Sequence, residues 1–385
     1  MELTKCKLGE LITQRREKND GSDLPICGVS KDGLIPPKQV DADTSIYNVF
    51  YRDDFIFNPA RMELNSIAIN DKYDRAICSS LYEVFYVHRT DLLLPHYLKL
   101  IVKQKWFTRY CEFLGQGSAR EYCRFNNISE IEVEFPNVEM QQKIVDYYAS
   151  LQERIKIKRQ INDNLAAIAQ AVFEDCFAEY YIGTTALPSG WKKSTFADVC
   201  QINGGKRLPA ECEFANSVTS HPYVRIRDMY QGKYLELMED FEYIDDEVFS
   251  YIKKYIVSSG DVIIAIVGIT SGEIAIIGES LDGANLTENC VKLTNFKGVT
   301  AEYLYCYWQY LRKSGGVEPL LVGAAQPKLP MYNIQAVPVI VPDAATMTTY
   351  QKSTTSLAKA VINNMQEIKY LREMQQLIVS RLSSC

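Results

Sequence analysis

The sequence predicts an α+β protein made of two tandem, pseudo-repeated α/β domains, each followed by a long helix, the two helices pairing as an antiparallel coiled coil. Three observations lead there. Residues 117–136 (GSAREYCRFNNISEIEVEFP) and 323–342 (GAAQPKLPMYNIQAVPVIVP) agree at six of twenty positions without a gap, at an offset of 206. The same offset pairs Tyr97-Leu98 with Tyr303-Leu304, and an offset of 207 pairs Asp54 with Asp261 and Ile67-Ala68-Ile69 with Ile274-Ala275-Ile276. Ordered matches at a nearly constant spacing mark an internal duplication, which sets architecture before any single motif does. After each closing proline, finally, apolar residues recur by threes and fours for roughly 35 to 40 residues, a helical period.

Within each copy the elements follow one order. Runs of β-branched and aromatic residues bounded by Gly, Asn and Asp predict strands at 54–57, 66–69 and 82–87, and again at 262–267, 273–277 and 290–293. A helix is expected at 95–113 and at 301–313, then a Gly-led segment that ends in an apolar strand and a proline. The first long helix, 139 to about 179, carries the stripe Ile144, Tyr148, Leu151, Ile155, Leu165, Ile168 and Val172. The second, about 346 to 382, carries Leu357, Val361, Met365, Ile368, Leu371, Met374, Ile378 and Leu382. So narrow a stripe on so long a helix suits a seam against one partner helix better than a place on a domain surface. Lys158 and Asn162 interrupt the first stripe, where they either fix register or face solvent. A linker at 182–189 leads to the second copy, which opens with LPSGWKKSTFADV (187–199), against only LGELI (8–12) at the chain start. The expected division is a domain at 1–138, a helix at 139–181, a domain at 182–342 and a helix at 343–385.

Catalytic signatures are near misses. GVSKDG (28–33) has the glycine spacing of a phosphate loop, but Leu34 stands where a lysine must reach the phosphates. Gly115-Gln116-Gly117-Ser118-Ala119-Arg120 lacks the third glycine of a dinucleotide loop and follows a helix. Asn58-Pro59-Ala60-Arg61 lacks the second proline and the aromatic residue of an amino-methyltransferase motif. Each reads as a turn. The three histidines, His88, His96 and His221, have no metal-ligand spacing. Eleven cysteines without a CxxC, behind an N-terminus with no apolar signal core, read as reduced thiols in a cytoplasmic protein. The longest apolar run, 262–269, is far too short for a membrane span. No active site, metal or cofactor is expected. The formal charge of −6 by itself argues against a nucleic-acid binder; if the chain binds DNA, phosphates must be neutralised by local basic patches or by partner subunits.

The motifs in order resemble the specificity subunit of type I restriction-modification systems along essentially the whole chain. LPSGWKKSTFADV is similar to that family's domain opening, and GDVIIAIVG (260–268) to its central Gly-Asp-apolar strand. DDFIFNPARMELNSIAI (53–69) and CSSLYEVF (78–85) resemble a variant of the same region. HPYVRIRDM (221–229) resembles its Pro-aromatic-Val-Arg segment, and GAAQPKLPMYNIQAVPVIVP its Gly-x-x-Gln turn and closing strand. The family's Glu-Gln at the helix start is replaced by Met140-Gln141-Gln142 and by Tyr350-Gln351, and Arg120 stands where the second copy has Gln326. The resemblance implies a non-catalytic subunit that recognises a bipartite double-stranded DNA target, one half-site per domain. It further implies docking to two copies of a methyltransferase (modification) subunit and, in some systems, to restriction endonuclease subunits. The cofactor chemistry would then sit in those partners.

DNA-contact candidates in the first domain are Lys31, Arg61, Arg120 and Arg124. In the second they are Lys206 and Arg207 after Gly204-Gly205, Arg225 and Arg227 at alternate strand positions, and Gln326 with Lys328. Arg and Gln suit bidentate reading of guanine and adenine edges; any one of them alone is as well explained as a solvated surface charge. Two other classes stay open on sequence: a solitary DNA-modifying enzyme with a degenerate catalytic domain, and a purely structural scaffold. If the paired helices set half-site spacing, four residues inserted after Asn164 add about 6 Å and roughly one turn, against ~3.4 Å per base pair. The preferred spacer should then lengthen by one or two base pairs with both half-sites unchanged, read by genome-wide sequencing of methylated sites. An unchanged spacer at full activity would rule the helices out as the ruler.

Overall fold

The computed structural model describes the chain except for residues 1–2, 32, 38, 41–42, 116–121, 184, 239, 324–325 and 383–385. It forms two compact units, Met1–Ile155 with Tyr370–Cys385, and Lys156–Lys369. Each unit holds one copy of the repeat and a length of both long helices.

In the first unit an antiparallel ribbon pairs Thr4–Lys7 with Glu132–Phe135, the first strand of the copy with its last. A four-stranded antiparallel sheet runs in the order Ile12–Arg15, Glu83–Val87, Phe55–Phe57, Ile67–Ile69. A second sheet orders Gly33–Ile35, Ile26–Ser30, Arg75–Cys78 and Asn48–Tyr51, its central pair parallel. The expected strands are present, each beginning one residue late, but this second sheet is not legible in the period of its short strands. The helix expected over 95–113 is two helices, Pro95–Val102 and Lys105–Gly115. The physical cause is at hand: the Asn65 amide donates to the Val102 carbonyl at 2.7 Å, occupying the acceptor at the point where the first helix ends.

The second unit repeats this plan. Lys192–Thr195 pairs with Pro338–Val341. The larger sheet runs Gln201–Gly204, Cys290–Thr294, Val262–Ala265, Ile274–Ile277, Tyr234–Leu235, and the smaller Glu242–Ile244, His221–Val224, Asn285–Leu286. The helix Ala301–Lys313 lies where expected, capped by the Thr300 hydroxyl on the Tyr303 N–H.

The duplication holds at single hydrogen bonds. Asp53 (φ 66°) and Gly260 (φ 87°) are both left-handed, a conformation glycine takes without strain and aspartate tolerates. Their N–H groups donate to the carbonyls of Asn70 and Ile277 at 2.9 and 2.8 Å. The carboxylates of the next residues, Asp54 and Asp261, accept the N–H three residues back, from Tyr51 and Ser258, both at 2.8 Å. In the first unit Arg15 adds a bidentate ion pair to buried Asp54 at 2.6 and 3.1 Å. Both long helices start alike: after Pro136 and Pro342, Asn137 accepts from the Met140 N–H, and Asp343 accepts from the N–H groups of Ala345 and Thr346.

The long helices span Val138–Tyr181 and Ala344–Arg381. Inside the second unit they run antiparallel, since Lys158 faces Asn364 and Glu367 while Phe177 packs on Tyr350. Inside the first unit buried Gln141 fastens the helix start: its amide donates to the carbonyls of Leu92 and Pro136 at 2.7 Å, and its carbonyl accepts from the Leu94 N–H at 2.9 Å. Ile144 and Leu382 join the same core. The stripes need correction. Ile168 and Met374 are about half exposed, and the buried face of the first helix continues through Ala169, Phe173 and Phe177.

Those phenylalanines centre an aromatic cluster with Tyr181, Tyr303, Tyr307, Tyr350 and Trp191. It joins the end of the first helix, the helix Ala301–Lys313 and the start of the second long helix. Phe173 is fully buried, and Phe173→Ala should destabilise this unit by about 3–5 kcal/mol. Denaturation followed by Trp191 and Trp308 fluorescence in a Trp106→Phe background isolates the effect, because these are the only three tryptophans.

Candidate nucleic-acid interface

In the second unit, Gly205 lets the chain pass hard against Leu286-Thr287: a Cβ there would lie 2.0 Å from the Thr287 carbonyl oxygen. Its N–H donates to the Cys290 carbonyl and that of Lys206 to Leu286, so Lys206 and Arg207 leave the sheet at a fixed point. The Tyr223 hydroxyl donates to the Lys206 carbonyl at 2.6 Å. The Lys206 ammonium lies 5.9 Å from the Tyr255 ring centre, and Arg207 donates to Glu288 at 2.7 Å. Arg207, Arg225, Glu288, Phe214 and Tyr223 share the wall of an 800 Å³ pocket.

Arg225 and Arg227 do not alternate on a strand. The strand ends at Val224; Arg225 precedes and Arg227 lies within a short 3-10 helix, Ile226–Gln231. The reason is Asp228, whose carboxylate accepts the Arg225 N–H at 2.7 Å and turns the chain. Both arginines nevertheless converge: each donates to the same Glu242 oxygen, at 3.0 and 3.1 Å. The Arg225 guanidinium also lies over the Phe214 ring at 5.0 Å, and its Nε is buried without a hydrogen-bond partner among the described residues. Gln326 and Lys328 are exposed on a separate turn, where Lys328 and Val322 exchange backbone hydrogen bonds.

In the first unit Lys31 and Arg61 are brought together on a groove of 1180 Å³, along with Asn58, Asn65, Ser66 and Tyr82. Neither has an ion-pair partner among the described residues. Arg124 stands apart, paired to Glu83 at 3.1 Å and lying over the Tyr122 ring. Arg120 lies outside the described residues, as do residues 116–119 of the glycine loop. Gly28, Val29 and Ser30 pair with Ile35, Leu34 and Gly33 in two antiparallel strands, and Asn58 caps the 3-10 helix Pro59–Leu64. His221 stacks on Phe249 and bonds Asp246. Sequence reasoning passed over the carboxylates that hold the arginines, Glu83, Glu242 and Glu288, and the ring of Phe214. Their spacing from the arginines along the chain carries no signal.

Burial pushes the Asp228 carboxyl up from its ordinary 3.8 to about 7, with Arg227 opposing and Glu242 reinforcing the shift. Between those values the folded unit binds more protons than the unfolded chain, so its stability falls as pH rises from about 4 to about 7. Asp228→Asn should flatten that slope, measured by chemical denaturation across the same range; an unchanged slope would place the titration on another group.

No helix among the described residues is long and apolar enough to cross a membrane. The family model for the type I restriction modification DNA specificity domain matches residues 6–167 and again 188–383. The chain is similar to the type I restriction enzyme MjaIX specificity subunit of Methanocaldococcus jannaschii, with 21% identity over 319 residues covering 76% of this chain and 69% of that protein. It is also similar to the HindI specificity subunit of Haemophilus influenzae, with 26% identity over 114 residues, 29% of this chain and 25% of that one. The crystal structure of a type I S subunit from M. genitalium shares the fold, with a TM-score of 0.52 at 16% identity over 99% of this chain and 96% of the other. With the duplicated architecture and a family match across both copies, the chain belongs to the type I restriction modification DNA specificity domain family.

Proposed function

We propose that this chain is the DNA-reading subunit of a type I restriction-modification assembly, without turnover of its own. Each unit reads one half of a bipartite duplex target. The observation that carries this reading is the double match of the specificity-domain family, at residues 6–167 and 188–383, on two units built to one plan. The chain docks two methyltransferase subunits, which bring the cofactor and the transferred methyl group, and in a full system endonuclease subunits as well. The long helices act as an antiparallel coiled-coil spacer between the half-sites.

Charge supports a division of labour. Lys31, Arg61 and Lys328, exposed and without a carboxylate partner among the described residues, suit phosphates, whose neutralisation releases counterions and gives salt dependence. Arg207, Arg225 and Arg227 are held by Glu288 and Glu242. A guanidinium so oriented loses less freedom on meeting a base edge, and its geometry suits guanine.

The prediction concerns Arg225→Ala and Arg227→Ala in the assembled complex. Each should cost roughly 1–3 kcal/mol and relax the second half-site alone, while Arg61→Ala should weaken all sequences alike and lower the salt slope by about one. Competition binding against half-site variants at several salt concentrations separates the two. Equal loss on every DNA sequence for the Arg225 variant would make it a phosphate contact, and methyl transfer by the isolated chain would overturn the non-catalytic reading.

A further inference from the structure

The same strand pair of the repeat carries the same unexplained feature in both units. In the first, the strands Phe55–Phe57 and Ile67–Ile69 are joined by a turn that leaves Leu64 59% exposed. In the second, Val262–Ala265 and Ile274–Ile277 are joined by a turn that leaves Ile269 99% exposed. Single exposed aliphatic residues are ordinary on protein surfaces. At the offset of 207, Ile269 falls opposite buried Met62 and Leu64 opposite Ser271, so the two are not equivalent positions; what the copies share is an exposed aliphatic residue in the connection between the same two strands.

Both turns are anchored where a loose loop would not be. In the first, left-handed Asn65 donates to the Val102 carbonyl and the Thr108 hydroxyl at 2.7 and 2.8 Å, and the Cys123 N–H donates to the Pro59 carbonyl at 3.0 Å. In the second, the Leu329 N–H donates to the Ile266 carbonyl at 2.9 Å, the matching bond of the repeat. Gly268 and Gly272 are both left-handed. The Pro327 carbonyl accepts from the Gly268 N–H and the Ser271 hydroxyl at 3.0 and 3.1 Å, and the Gly272 carbonyl accepts from the Trp308 indole at 2.8 Å. A backbone held this way fixes where its side chain leaves the turn, so little main-chain freedom remains to be lost on contact with a partner.

Each turn also carries or borders a cation that no carboxylate neutralises among the described residues. Arg61 lies on the same turn as Leu64 and shares its groove with Lys31. Lys328 bridges to Val267, two residues before Ile269. An apolar tip beside unpaired positive charge fits a duplex, which offers phosphates at the groove rim and, inside the major groove, one apolar group, the thymine C5-methyl.

We propose that Leu64 and Ile269 are specificity-determining residues, each meeting the C5-methyl of a thymine in its own half-site while Arg61 and Lys328 engage the flanking phosphates. The inference rests on the DNA-reading function proposed above. The test uses the full chain assembled with its methyltransferase subunits and duplexes in which each thymine of the target is replaced in turn by deoxyuridine. At one position of the second half-site, loss of the methyl should weaken the unaltered complex roughly fourfold, the value of one buried methyl group. The Ile269→Ala complex should not respond to that replacement, and Ile269→Val should retain most of the response. Leu64→Ala should behave likewise in the first half-site. The salt slope should not change in any of these variants.

Equal uracil effects in altered and unaltered complexes, a half-site without A·T pairs, or a loss spread evenly over all sequences would overturn the inference. If the unaltered complex has no bipartite target at all, the DNA-reading function itself fails and the inference falls with it. Failure of the two is thus told apart by the unaltered complex alone.

Discussion

Each copy of the repeat is closed by a ribbon between its first and last strands, Thr4–Lys7 on Glu132–Phe135 and Lys192–Thr195 on Pro338–Val341. Everything downstream depends on that closure. The last strand runs into a proline and a side-chain helix cap, Asn137 or Asp343, so the ribbon fixes where each long helix leaves its domain. The second copy adds a tie: the Trp191 indole donates to the Asp343 carboxylate at 2.9 Å, linking the domain opening to the helix cap. The Thr346 N–H and hydroxyl, followed by that indole, hold the Asp343 carboxyl down at about 2. The first copy has no tryptophan here and relies on buried Gln141, whose amide makes three hydrogen bonds to backbone groups.

The helix pair inside the second unit mixes two kinds of contact. Its aromatic end supplies burial, which is strong but indifferent to small shifts along the helix axis. Its polar middle supplies the opposite property. Asn364 donates to Asn162 and accepts from Lys158, while Lys158 also pairs with Glu367 at 2.9 Å. An amide and an ammonium half-buried at a helix seam add little net stability, since desolvation offsets most of the attraction. They do penalise a slipped register, in which the same groups would lose their partners.

An acidic protein that binds DNA must keep its cations where they act. Here the arginines of the second unit are held by glutamates that cancel much of their charge, so they contribute orientation more than long-range attraction. Lys31, Arg61 and Lys328, which have no carboxylate partner among the described residues, sit elsewhere. On the function proposed above, affinity and sequence reading rest on different residues, which lets one vary without the other.

The duplication, the strand pairs at its centre, the helix Ala301–Lys313 and both long helices were legible in the sequence, because a repeat and a hydrophobic period are properties of the chain itself. So was the family, carried by motifs that keep their order. The sequence also determined that Lys158 and Asn162 are exceptional, but not which of two roles they take. Tertiary structure decided what depends on residues far apart in the chain. The break near Val102 comes from Asn65, the face of the first long helix turns to Phe173 and Phe177 because aromatic residues of another element await them, and the arginine pair is made by Glu242 rather than by a strand period. The physical reason is the same throughout: local pattern fixes which elements form, whereas a carbonyl, a ring or a carboxylate brought in from a distant segment decides where each one stops and which way its side chains face.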